Sequence, residues 1–153
     1  QMCIRDSVRA AELAQSLFNE ISSKSFDENS DRGGGAIRCN DDLDGDDLYT
    51  GPGEIACSTT MGPDDATELS DREFYDDVDD YDGLNVVANS FGDAVIIDGR
   101  DLYAGYSLSV RVFYDADFDG VDDGVSGVRK LINITVTTPL GQTMEFSSYR
   151  SNY

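Results

Sequence analysis

The chain contains no histidine, which removes the commonest general base and one of the commonest metal ligands of proteins. A Ser-His-Asp or Cys-His catalytic site is therefore impossible within these 153 residues. Cysteine is also scarce, with three in the chain, so the residues that a zinc site needs are few. With no activated nucleophile in view, we expect that the protein is not an enzyme.

Positive charge is the second shortage. Lys and Arg together number 11 against 31 Asp and Glu, which gives a formal net charge of −20. Such a chain cannot neutralise phosphates, so nucleic acid is excluded as a partner, and anionic lipid headgroups are disfavoured for the same reason. A strongly negative surface instead keeps a protein soluble and attracts divalent cations.

Long apolar runs are absent too, since no stretch of 18 apolar residues occurs. Hydrophobic residues nevertheless make up 39% of the chain, with seven Phe and eight Tyr. This content suits one folded domain with a modest core rather than a disordered chain.

The most informative motif that is present is an aspartate-rich loop, DADFDG, at residues 115–120. Carboxylates at alternate positions followed by a glycine turn are typical of calcium loops, because Ca²⁺ takes six to eight oxygen ligands. Position 12 of the loop would be Ser126 rather than a bidentate glutamate, so an EF-hand is not supported. The alternative is a plain acidic turn between two strands. The expected Ca²⁺ ligands are Asp115, Asp117, Asp119, the carbonyl of Val121, and Asp123.

A similar spacing occurs earlier, at Asn40-x-Asp42-x-Asp44-Gly45. The next two positions of the repeat, Asp46 and Leu48, fit a cation loop poorly. We therefore expect a solvated turn there in preference to a second calcium site.

Cys39 and Cys57 lie in a Gly- and Asp-rich segment and can be either bridged or free and buried. The polar surroundings favour a disulfide, which would contribute ~3 kcal/mol on the chain-entropy account. Cys3 is then unpaired. The first seven residues, QMCIRDS, resemble a translated adaptor remnant, so we expect residues 1–7 to be non-native and residues 8–153 to form one N-terminally truncated domain.

The apolar patterns predict an α+β protein. Leu13, Leu17 and Ile21 recur every four residues, which predicts an amphipathic helix over residues 8–26. Residues 27–84 are rich in breakers and predict loops. From residue 86 onward, apolar and polar residues alternate, which predicts an antiparallel meander with one buried face.

The acidic segment 68–84 contains closely spaced carboxylates of the kind that glycoside hydrolysis uses. Nothing apolar in the segment isolates one acid to raise its pKa, so a general acid is not indicated. We expect its Asp side chains to face water, while four apolar residues dock on the core: Phe74, Val78, Tyr81 and Leu84.

Several ordered segments resemble the D-type minor pilins of the mannose-sensitive haemagglutinin (MSHA) type IV pilus. They are residues 11–21 (AELAQSLFNEI), 26–29 (FDEN), the pair Cys39 and Cys57, 74–84 (FYDDVDDYDGL), 137–141 (TTPLG) and 149–153 (YRSNY). The resemblance covers nearly all of residues 8–153, and its strength lies in the order of its short motifs.

The resemblance implies a type IV pilin head, in which an N-terminal helix packs on an antiparallel meander beside a long disulfide-containing loop region. It implies an upstream apolar half of the helix that anchors the parent protein in the inner membrane and later packs against other pilin subunits. The expected location is therefore the inner membrane and periplasm, then the cell-surface pilus. The alternative function is a calcium-dependent extracellular binding module.

Overall fold

The computed structural model describes residues 2–31, 38–87, 96–97 and 100–152. Within these ranges one α-helix precedes six β-strands. The elements are α1 (Met2–Ser22), β1 (Asn85–Val87), β2 (Ile96–Ile97), β3 (Arg100–Asp101), β4 (Ser107–Tyr114), β5 (Arg129–Thr137) and β6 (Thr143–Ser151). Two short 3₁₀ turns, Arg72–Phe74 and Asp79–Tyr81, lie in the long connection before β1.

Helix α1 buries the predicted apolar stripe. Ala10, Leu13, Ala14, Leu17 and Ile21 are all buried, and the helix packs on β5 and β6. Since truncating a buried leucine costs about 2–5 kcal/mol, this stripe is a main source of stability.

The bounds of α1 differ from the predicted 8–26, because the helix begins at Met2 and ends at Ser22. Its last turn tightens, with the amide of Lys24 donating to the carbonyl of Ile21 at 3.1 Å. Ser25 then leaves the helix and pairs in parallel with Asp77. The helix passes through residues 2–7 without a break; the side chain of Cys3 lies outside the described part of the structure.

A four-stranded antiparallel sheet with the order β1-β4-β5-β6 carries α1, so the predicted α+β arrangement of a helix on an antiparallel meander is confirmed. Alternate residues of β4 and β5 face the helix, and Val112 pairs with Ile132 and Val110 with Ile134 in this layer. The core-facing set continues to the end of the strands, where Tyr114 pairs with Lys130. A second sheet pairs β2 with β3.

The predicted disulfide is confirmed: Cys39 and Cys57 are bridged. Both cysteines are also buried, although their polar neighbours in sequence argued against burial. They pack with Phe26 and Tyr114 in a small second core. The side-chain amide of Asn152, just after β6, donates to the carbonyl of Cys39 at 2.7 Å, which attaches the loop region to the end of the sheet.

The segment 68–84 departs from its predicted packing. Val78 and Tyr81 are buried as expected and Leu84 packs against the core, but Phe74 is 51% exposed. Asp77, Asp79 and Asp80 are each only 3% exposed instead of facing water. Among the described residues, no helix has both the length and the apolar character needed to cross a membrane.

Candidate cation site and buried charge cluster

The aspartate-rich loop is the connection between β4 and β5, and Asp115 is its fixed point. Asp115 follows β4 directly and is completely buried. Its carboxylate accepts the backbone amides of Asp119 at 3.0 Å and Gly120 at 2.9 Å, which folds the loop back on itself. Gly120 has a φ of +79°, a left-handed conformation that glycine adopts without steric cost.

The loop brings four of the five predicted ligand residues together. Asp115, Asp117, Asp119 and Asp123 each offer one carboxylate oxygen, and these oxygens all lie within 4.8 Å of one another. Asp123 also accepts the amide of Ala116 at 2.8 Å, which closes the loop. Oxygen ligands grouped in this way can hold a hard divalent cation.

Val121, the fifth predicted ligand residue, lies in the same turn and donates its amide to Asp119 Oδ1 at 2.8 Å. Its side chain is exposed, so a role in binding would rest on the carbonyl alone.

Like charges oppose one another in this loop. The Asp119 amide lowers the pKa of the exposed Asp117, but the slight desolvation within the loop and the charges of Asp119 and Asp123 outweigh it and raise the pKa overall. Burial alone would raise the pKa of Asp115, but the hydrogen bond from Tyr149 and the two loop amides hold it below its ordinary value. A bound cation would relieve the repulsion among the carboxylates of this loop.

Tyr149 on β6 supports the loop and was not predicted to do so. Its hydroxyl donates to Asp115 Oδ2 at 2.7 Å, and this bond, together with burial and the neighbouring negative charges, raises the pKa of Tyr149 to about 12. Its ring meets Phe118 edge to face at 4.8 Å. The guanidinium of Arg129 lies 4.6 Å from the Phe118 ring centre and also donates to the carbonyl of Ala116.

The second acidic turn is solvated, in line with its predicted character. Oxygens of Asp42, Asp44 and Asp46 approach one another closely enough to hold a cation, but Asp44 and Asp46 are exposed. Asn40, the first residue of the predicted repeat, is engaged elsewhere. Its side chain accepts the amide of Cys57 at 2.9 Å and donates to Ser126 at 3.1 Å, linking the disulfide loop to the β4–β5 loop.

A buried charge cluster lies at the same end of the sheet as this loop, on the face that carries α1, and the sequence did not predict it. Lys130 of β5 is completely buried, and its Nζ lies 3.0 Å from Asp27 Oδ1 and 2.6 Å from Asp79 Oδ1. The same amine donates to the carbonyl of Phe26 at 2.7 Å. The alternation of β5 was the sequence signal that could have predicted it, because Lys130 lies two residues before Ile132 and therefore on the same, buried face of the strand.

The acids around Lys130 have perturbed protonation. Burial raises the pKa of Asp79 to about 8 in spite of Lys130. Burial and the nearby charge of Asp80 raise the pKa of Asp77 to about 7. The expectation that nothing isolates an acid of this segment is therefore wrong: burial against the sheet supplies the isolation that the local sequence lacks.

The chain matches no model of a known protein family, and no curated protein or solved structure shows significant similarity to it.

Proposed function

We propose that this chain is the globular head of a structural subunit, a minor pilin or pseudopilin, that contributes to the assembly or decoration of an MSHA-like type IV pilus used in surface attachment. Its partners would be other pilin subunits. The parent protein would reside in the inner membrane and periplasm before it enters a cell-surface filament.

The position of α1 on the sheet carries this proposal. The helix buries its apolar stripe from Ala10 onward against the sheet, whereas Val8, on the side of the helix opposite that stripe, is apolar and 52% exposed. A concave surface lined in part by Val8, Glu12 and Leu102 flanks this first part of the helix. A helix that presents an exposed apolar residue on the side away from its own sheet can pack against helices of neighbouring subunits while the acidic head faces solvent.

Deletion and complementation test this role. Removing the parent gene should reduce or alter surface pili, and the wild-type parent gene should restore them. A Val8→Asp parent should fold, because the side chain is half exposed, but should restore piliation poorly, since a charge would enter the helix packing. Leu140→Asp, in the exposed β5–β6 turn, is the matched control and should restore piliation fully. Normal piliation and attachment in the deletion strain would contradict the proposal.

The grouped carboxylates of the β4–β5 loop favour a second candidate, a calcium-dependent extracellular binding module. Here the loop would hold Ca²⁺ through Asp115, Asp117, Asp119 and Asp123, and the ion would also shape the surface that meets a ligand. Saturable binding of the soluble head to an array of glycans, abolished by chelator, would support this function. If the head binds none of these glycans in calcium and the deletion strain loses its pili, the binding module is contradicted and the structural role is supported.

A further inference from the structure

The buried contact between Lys130 and Asp79 places an amine against a carboxyl group in a site closed to solvent. Lys130 Nζ lies 2.6 Å from Asp79 Oδ1, and the exposed fractions of the two side chains are 0% and 4%. Because a carbon–oxygen bond is about 1.2 Å long, the carboxyl carbon of Asp79 is no further than about 3.8 Å from Nζ. This separation is close to that of groups poised to react.

The two carboxyl groups at Lys130 have opposite surroundings. Asp27 accepts the amides of Ser58 and Asn29 and the hydroxyl of Tyr114, in addition to Lys130. Burial alone would raise the pKa of Asp27, but the charge of Lys130 and the backbone donors hold it below its usual value. Asp27 is therefore the ionised member.

Asp79 is the opposite case. Among the described residues its Oδ2 has no hydrogen-bond donor, and the group that approaches its Oδ1 is the amine of Lys130. Burial accordingly raises the pKa of Asp79 to about 8, so this group is largely the neutral acid at neutral pH. Two acids whose pKa values are pushed apart in this way can divide the roles of base and electrophile.

We propose that Lys130 and Asp79 condense spontaneously to an intramolecular isopeptide bond, with Asp27 as the base. The Lys130 ammonium gives one proton to Asp27, and the free amine then forms a bond to the Asp79 carboxyl carbon. The bond from that carbon to its hydroxyl oxygen breaks, and the hydroxyl leaves as water with a second proton from the nitrogen. One proton thus remains on Asp27, one hydrogen remains on the amide nitrogen, and no oxidant or reductant is needed.

The surroundings favour the amide over the separated groups. The rings of Phe26 and Tyr114 lie 4.3 Å and 5.0 Å from Lys130 Nζ, so the amine has an aromatic and dry enclosure. Keeping ions in such a place is costly, and condensation replaces the buried ammonium and acid with one neutral amide. The bond would join the 3₁₀ turn Asp79–Tyr81 covalently to the beginning of strand β5.

Intact-mass spectrometry of the purified full chain, reduced and denatured, tests the proposal. The wild type should be lighter than its sequence mass by one water molecule. Lys130→Met and Asp79→Ala should each have the full mass of their sequences. Asp27→Asn retains both reacting groups but lacks the base, so it should have a greatly reduced fraction of the lighter species.

Aspartyl-glycine sequences such as Asp119-Gly120 can also lose water by forming a succinimide, so a second measurement is needed. Succinimides are cleaved by hydroxylamine, whereas the isopeptide bond survives this treatment. Peptide mapping of the wild type should then recover one branched peptide that joins Lys130 to Asp79. This reading does not depend on whether any variant folds.

Amine labelling of the denatured wild type gives the outcome that would overturn the proposal. The chain has two lysines, Lys24 and Lys130, and only Lys24 should react. An intact mass equal to the sequence mass, together with full labelling of Lys130, would show that the contact is an ion pair and nothing more.

Discussion

Calcium binding by the β4–β5 loop can be tested by neutralising two of its carboxylates without disturbing the fold. Asp117 and Asp119 are exposed, and each uses Oδ1 to accept a backbone amide of the loop. Asparagine retains that acceptor and removes the charge. The double variant Asp117→Asn, Asp119→Asn should therefore keep the loop conformation and lose most of its attraction for Ca²⁺.

The size of the expected effect follows from mass action. Extracellular calcium sites bind with dissociation constants on the order of 0.1–1 mM, and the absence of a carboxylate at Ser126 favours the weak end of this range. An ion present at ~100-fold excess over its dissociation constant stabilises the folded state by about 2.7 kcal/mol. For a protein of this size that corresponds to a rise in Tm of about 5–10 °C.

The assay is thermal unfolding followed by circular dichroism, in calcium and in chelator, at constant ionic strength so that general screening is equal. The wild type should show the full rise in Tm and the double variant little of it. Asp44→Asn with Asp46→Asn removes the same charge from the other acidic turn and should keep the rise. Identical wild-type Tm values in calcium and chelator would show that the loop is a plain acidic turn.

Three further results are expected from unfolding experiments. Replacing Cys39 and Cys57 by Ser should lower the free energy of unfolding by about 3 kcal/mol, and reductant should do the same to the wild type but not to the variant. Lys130→Met should cost about 3–5 kcal/mol, because it leaves Asp27 charged and buried; a cost below that of an ordinary surface change would contradict the cluster. Because the pKa of Asp77 is raised to about 7 in the folded protein, Asp77 keeps a proton between pH ~4 and pH ~7 that it has lost in the unfolded chain. Its contribution to stability is therefore complete below pH ~4 and falls by about 1.4 kcal/mol per pH unit up to its folded pKa of about 7. Asp77→Asn should remove this part of the slope, and an unchanged pH profile would refute the assignment.

The helix and the strands were predictable because their apolar residues obey a local period. Leu13, Leu17 and Ile21 mark one face of α1, and the alternation ending at Tyr114 marks one face of β4. The end of α1 was less predictable, since Phe26 is apolar and buried, five residues after Ile21. Phe26 is held by the disulfide core rather than by the helix, and that depends on contacts distant in sequence.

The candidate cation loop was predictable for a similar reason, because its four carboxylates are neighbours in sequence. Its support by Tyr149 was not, since that residue reaches Asp115 only through the pairing of β6 with β5. The burial of Asp79 was missed because its partner, Lys130, is distant in the chain. The local sequence around Asp79 predicts a solvated run of aspartates, and the cation beside the buried Asp79, Lys130, comes from a strand distant in the chain.

The proposed role in a filament is tested most directly by immunogold electron microscopy of cells that produce the parent protein. Antibodies raised against the soluble head should label surface filaments, because the acidic head would face solvent, and the deletion strain should lose this label. Gold confined to the cell interior, with unlabelled filaments on the same cells, would contradict the account.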